Sequence, residues 1–133
     1  MKQGRNTVLI VDDTPTNISV ISAALKDHFR TKVATNGEKA LAIMNSDDRP
    51  DLILLDVDLP GIDGLTLTKR LKSDPPTADI IIVALTAFAM KADRQRAIAA
   101  GCDAYVTKPI NTRELPVQVA ELLQRREKAK PNE

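Results

Sequence analysis

The chain alternates short, almost unbroken apolar runs with stretches whose apolar residues recur every three or four positions. Thr7-Val8-Leu9-Ile10-Val11, Leu52-Ile53-Leu54-Leu55 and Ile80 to Leu85 are runs of the first kind. A strand that is apolar at every position, rather than at every second one, is covered on both faces, as in a parallel sheet. Shorter strands are expected over Lys32 to Thr35 and at Ala104-Tyr105-Val106. Thr14 and Pro15 open a first helix, with Ile18, Ile21 and Leu25 at helical spacing. Asn36-Gly37 reads as a turn pair that tolerates positive φ, ahead of a helix from Glu38 to Asn45 anchored by Leu41 and Met44. A Pro60-Gly61 turn precedes a helix near Leu65 to Lys72, and Pro75-Pro76 forces a loop before the fourth strand. A helix from about Met90 to Ala100 stops at Gly101, an αL cap. Leu115, Val119 and Leu122 mark the apolar stripe of the last helix.

Strands alternating with helices through short loops predict right-handed βαβ units, hence an α/β fold with a doubly wound parallel sheet and helices on both faces. Parallel strands end on one side, and ligands of open sheets bind beyond those ends. The first apolar run enters Asp12-Asp13 and the third strand ends at Asp56, so three carboxylates are expected to converge there. Left unpaired they would repel one another, and a hard divalent cation relieves that repulsion. Ligands that are all oxygen select Mg²⁺. Thr86 and Lys108 also follow strand ends, so four of the five strands deliver reactive groups to this edge.

Composition narrows the function classes. At 133 residues the chain is expected to be one domain, with a core over about 6–125 and a short flexible tail at 126–133. A net charge of +1 and an aromatic content of 2% argue against a nucleic-acid partner, by phosphate contact or by base stacking. The basic cluster Arg125, Arg126, Lys128 and Lys130 is expected to complement the dipole of the last helix. A single cysteine, Cys102, cannot form an internal disulfide, which fits a reducing, cytoplasmic setting. The N-terminus lacks the apolar stretch of a signal peptide and no run approaches membrane-spanning length, so no membrane is expected as a partner.

Asp12-Asp13 after strand one, Asp56 after strand three, Thr86-Ala87 after strand four and Lys108-Pro109 after strand five resemble the receiver domain of two-component response regulators. The resemblance covers residues 6 to about 125, with motif order and spacing matching throughout. Leu85-Thr86-Ala87-Phe88-Ala89-Met90 and Gly101-Cys102-Asp103-Ala104-Tyr105 are similar to stand-alone cell-cycle regulators and to receivers fused to hybrid kinases. The resemblance implies a flavodoxin-like, five-stranded sheet of order 2-1-3-4-5. It assigns Asp56 as the acceptor of a phosphoryl group, in a phosphorelay that begins on a sensor histidine kinase or a histidine phosphotransfer protein. Asp13 and Asp56 would hold Mg²⁺ with the backbone carbonyl of Asp58, Asp12 acting largely through bound water. Lys108 would reach a phosphoryl oxygen, with a cis Lys108–Pro109 peptide, and Thr86 would donate to the phosphoryl group. Tyr105 would swing inward as the switch aromatic, changing a protein-binding face over 87–127 used by a downstream target. Phe88 and Asp58 would flank the phosphoryl group and tune its hydrolysis. Such a protein is no enzyme in the usual sense, since it catalyses only its own phosphorylation and dephosphorylation.

Taken singly, these residues have plainer roles. Asp13 would cap the helix that Pro15 begins, Asp56 would be a solvated strand end, Lys108 a solubilising lysine and Tyr105 core filler. Their co-occurrence carries the reading. His28 is expected at the surface, and Cys102 to pack as a small apolar group. A Mg²⁺-dependent phosphatase of the haloacid dehalogenase type is the competing class, because Asp56-Val57-Asp58 fits its D-x-D nucleophile signature. That signature normally follows the first strand, and the chain lacks room for a cap domain. A receiver that never uses phosphate is a third reading, with no side chain to favour it. No output domain follows the last helix of the sequence as given, so output is expected to pass through a protein partner.

Overall fold

A computed structural model of the chain describes residues 6–57, 64–86 and 91–129. Its elements are β1 (Thr7–Val11), α1 (Pro15–Leu25), β2 (Arg30–Ala34), α2 (Gly37–Met44), β3 (Leu52–Asp56), α3 (Gly64–Ser73), β4 (Ile81–Thr86), α4 (Lys91–Ala100), β5 (Ala104–Thr107) and α5 (Glu114–Ala129). The strands are all parallel, in the order β2-β1-β3-β4-β5. The expected flavodoxin-like, doubly wound architecture is therefore what the chain adopts.

Side chains alternate across a strand, and that period of two splits each apolar run between two cores. Leu9, Val11, Ile53, Leu55, Ile82 and Ala84 face Ala40 and Met44 of α2, Leu67 and Leu71 of α3, and Ala97 of α4. Val8, Ile10, Leu52, Leu54, Val83 and Leu85 face Ile21 and Leu25 of α1, and Leu115, Val119 and Leu123 of α5. Both faces being covered is why these strands have no polar alternation.

Several element bounds differ from expectation for identifiable reasons. Asn36 and Gly37 form no positive-φ turn; Asn36 is extended at φ −158° and caps α2, its side-chain oxygen accepting the Lys39 N–H at 2.8 Å. Ile80 precedes β4 because its N–H donates to the Thr77 carbonyl within a turn, and the ladder begins instead at Ile81, whose N–H reaches the Asp51 carbonyl. On α5 the third inward residue is Leu123 rather than Leu122, continuing the four-residue step from Leu115 and Val119. Of the tail expected over 126–133, residues 126–129 belong to α5, which runs to Ala129, and the remainder lies outside the described residues. Arg126 also donates to the Asp51 carbonyl at 2.9 Å and to its carboxylate at 3.2 Å. Gly101 does end α4 in the positive-φ region, at φ 109°. No helix among the described residues is long and apolar enough to cross a membrane.

Candidate functional site

The β1–β3–β4–β5 order brings four chain segments to one edge of the sheet. In register, Val11 lies beside Leu55, Asp56 beside Leu85, and Thr86 beside Thr107. Asp12 follows β1, Asp56 ends β3, Thr86 ends β4, and Lys108 follows β5. Asp12, Asp56 and Thr86 are buried, while Asp13 is exposed at the mouth.

One carboxylate oxygen from each of Asp12, Asp13 and Asp56 lies within 4.8 Å of the others. The Lys108 ammonium stands 3.3 Å from Asp56 Oδ2 and 3.6 Å from Asp12 Oδ2. Among the described residues, one lysine against three carboxylates leaves the cleft negative, and burial of two of them raises the electrostatic cost. Asp12 Oδ1 is occupied, accepting the Thr14 N–H at 2.9 Å. Its Oδ2 is buried and accepts no hydrogen bond. A buried acceptor in that condition, beside two further carboxylate oxygens, suits a hard divalent cation. The acidic cluster therefore fits a metal ion.

The backbone holds the cluster in place. The Lys108 N–H donates to the Thr86 carbonyl at 2.7 Å, extending the β4–β5 ladder by one residue, and the Lys108–Pro109 peptide is cis. The Val57 N–H donates to the Leu85 carbonyl at 3.1 Å, fixing the chain just beyond Asp56. Asp13 does not cap α1; Thr14 occupies the cap position without a side-chain bond, and Asp12 satisfies its N–H instead. Tyr105 sits half-buried on the edge strand, level with Ala84 rather than with Thr86. The expected ligand Asp58 and flanking Phe88 lie outside the described residues, as does Met90. His28 is exposed, and the buried Cys102 thiol lies 3.7 Å from the Thr68 hydroxyl.

Two residues escape a motif reading. A Cβ on Gly64 would come 2.6 Å from both the Asp56 carbonyl oxygen and the Val57 Cα, so the start of α3 approaches the acidic edge as only glycine permits. Its signal in sequence is a poor helix former at the expected start of a helix. Arg94 lies over the Tyr105 ring, its guanidinium carbon 5.5 Å from the ring centroid, and nothing in the sequence marks that pairing.

Comparison with known proteins agrees with this arrangement. The family model of the response regulator receiver domain matches residues 8–120. The polar-differentiation response regulator DivK of Brucella anthropi is 42% identical over 109 residues, covering 79% of this chain and 85% of DivK. The response regulator PleD of Caulobacter vibrioides is 40% identical over 105 residues, 78% of this chain but only 23% of PleD. Among solved structures, the receiver domain of a sensor histidine kinase from Pseudomonas aeruginosa, with a magnesium ion coordinated in its active site cleft, superposes with a TM-score of 0.76 at 31% identity. That match covers 92% of this chain and 97% of the other. The family match decides against the dehalogenase-type phosphatase, whose D-x-D is three residues of the sequence. With its fold, the order of its strand-end residues and these relatives in agreement, the chain belongs to the response regulator receiver family.

Proposed function

We propose that this receiver accepts a phosphoryl group on Asp56 from a phosphohistidine, on a sensor histidine kinase or a histidine phosphotransfer protein, in a Mg²⁺-dependent step. The observation that carries the reading is the buried Asp12–Asp56 pair, with Lys108 Nζ 3.3 Å from Asp56 Oδ2 and Asp13 at the open side. An Asp56 oxygen forms the bond to phosphorus while the phosphorus–nitrogen bond of the donor breaks. The electron pair stays on the imidazole, which takes up a proton. Asp13 and Asp56, with the Asp58 backbone carbonyl and with Asp12 acting largely through bound water, would hold Mg²⁺, which would supply charge neutralisation for the transferring group. Lys108 moves its ion pair from Asp56 to a phosphoryl oxygen, and the Thr86 hydroxyl donates to another.

Thr86 drawn toward the phosphoryl group vacates space beside β5, and Tyr105 turns into it. The face over 87–127 then changes shape for a downstream protein. Support for a movable face comes from α4, which buries only Ala97 and Ala100 of its described side chains. The domain performs no turnover on a separate substrate; it catalyses its own phosphorylation and dephosphorylation. Work in the cytoplasm fits the free thiol of Cys102.

Labelling tests the assignment. Acetyl phosphate, or a phosphorylated histidine donor, should add one phosphoryl group to the wild type in Mg²⁺, none in excess chelator, and none to Asp56→Asn. Equal single-site labelling of wild type and Asp56→Asn would refute it.

A further inference from the structure

The two ends of α4 are held by different means. At its C-terminal end the Gly101 N–H donates to the Ile98 carbonyl and the Cys102 N–H to the Ala97 carbonyl, each at 3.0 Å. Just beyond, Asp103 Oδ2 accepts from the Ile82 N–H and from Lys72 Nζ, both at 2.9 Å, tying that end to β4 and α3. The rest of the helix presents mostly exposed side chains. Lys91, Ala92, Arg94, Gln95 and Arg96 are all exposed, and Ile98, the one large branched apolar residue of the helix, is 58% exposed. From the exposed side of α4 the Arg94 guanidinium reaches β5, lying over the Tyr105 ring.

We propose that Arg94 is a positioning residue for the Tyr105 switch, holding the ring outward by a cation–π contact and so opposing the activated conformation. The inference rests on the reading of Tyr105 and Asp56 given above, and adds one contact that biases the balance between the two ring positions. A ring that turns inward leaves the guanidinium behind, because the exposed, hydrated cation would have to shed water to follow it. A contact made in one state and absent from the other shifts the equilibrium by its full strength. At an exposed site that strength corresponds to about a two- to fivefold bias against activation.

The chain has one tyrosine and no tryptophan, so fluorotyrosine labelling gives a single ¹⁹F resonance that reports this ring alone. Wild type, Arg94→Gln and Arg94→Lys are titrated with beryllofluoride in Mg²⁺ by calorimetry, each with and without Tyr105→Leu. Arg94→Gln should move the resonance of the free protein and tighten beryllofluoride binding about two- to fivefold. Arg94→Lys, which keeps a cation, should restore part of both effects. In the Tyr105→Leu background the gain should vanish. A gain of the same size without the tyrosine, or no gain with it, overturns the proposal while leaving the acceptor assignment standing. Wild type that ignores beryllofluoride, or an Asp56→Asn variant that binds it as well, overturns the acceptor assignment and the role of Arg94 together.

Discussion

Replacing Gly64 by alanine should damage stability and phosphorylation together, although the glycine is not a site residue and needs no unusual backbone angle. Among the described glycines only Gly101 has positive φ, so what Gly64 supplies is room. The added Cβ would lie 2.6 Å from the Asp56 oxygen and the Val57 Cα and 3.2 Å from the Asp56 carbonyl carbon, where ordinary contact begins at 3.4 Å. All three neighbours are backbone, so no side-chain rotation relieves the overlap, and β3 or α3 must shift by most of an ångström. Overpacking of this kind costs about 1–3 kcal/mol. The reduced freedom of the unfolded chain returns about 0.4–1 kcal/mol of that. The net loss is roughly 1–2 kcal/mol, which for a domain of this size lowers Tm by about 3–8 °C. The shift also falls on the residue whose carboxylate is proposed to attack in line, where a displacement near 1 Å can slow a reaction about a hundredfold. Labelling by acetyl phosphate at fixed Mg²⁺ should therefore slow by about tenfold or more in the folded variant. Thermal unfolding followed by circular dichroism, alongside a labelling time course, reads both effects. A Gly64→Ala protein within 1 °C of wild type would show that the clearance has no energetic consequence. Lower Tm with unchanged labelling would show that it does not position the acceptor.

Burial raises the Cys102 thiol above its ordinary value of 9.0, with Asp103 adding to the shift and Thr68 and Lys72 opposing it. The folded state thus holds the proton more tightly than the unfolded chain, so this stabilisation is complete below pH 9.0 and is lost as pH rises past it. The urea midpoint of wild type should fall more steeply between pH 8 and 10 than that of Cys102→Ala; parallel curves would refute the coupling. Lys72 donates to the Ala78 carbonyl at 3.2 Å, the Ile80 carbonyl at 2.8 Å and Asp103 Oδ2 at 2.9 Å, joining α3, the following loop and the β5 approach. Lys72→Met keeps the stem but drops all three, and should destabilise the fold by about 1–3 kcal/mol in urea titration; no change would mean that water replaces the ammonium at no cost.

The strands were legible because their physical situation is uniform. A strand covered on both faces needs apolar residues throughout, and β1, β3 and β4 have them. The edge strands were read less well for the same reason. Arg30, Thr31 and Lys32 of β2 border solvent, so pattern alone starts that strand at Lys32 and misses the Arg30 N–H donating to the Asn6 carbonyl. Asn36-Gly37 is ambiguous in sequence because one residue pair serves two geometries. Whether Asn36 starts a turn or caps a helix depends on whether its oxygen finds the Lys39 N–H, which is a matter of the chain that follows.

The acidic cluster was legible for a different reason: strand ends in a parallel sheet share an edge, so topology alone converts sequence position into proximity. Asp12, Asp13, Asp56 and Lys108 follow from that rule without knowledge of any side-chain rotamer. Gly64 and Arg94 do not, because each acts through a spatial neighbour that no strand-end rule supplies. The clearance at Gly64 exists only once α3 has been laid against the end of β3. The Arg94–Tyr105 contact exists only once the α4–β5 turn has closed through Gly101 and Asp103. Residues that would do chemistry were thus visible in one dimension, whereas residues that would set its geometry and its threshold became visible only in three. Variation in such supporting positions can retune a receiver while leaving every motif residue in place, and a sequence compared by motif alone would register no difference.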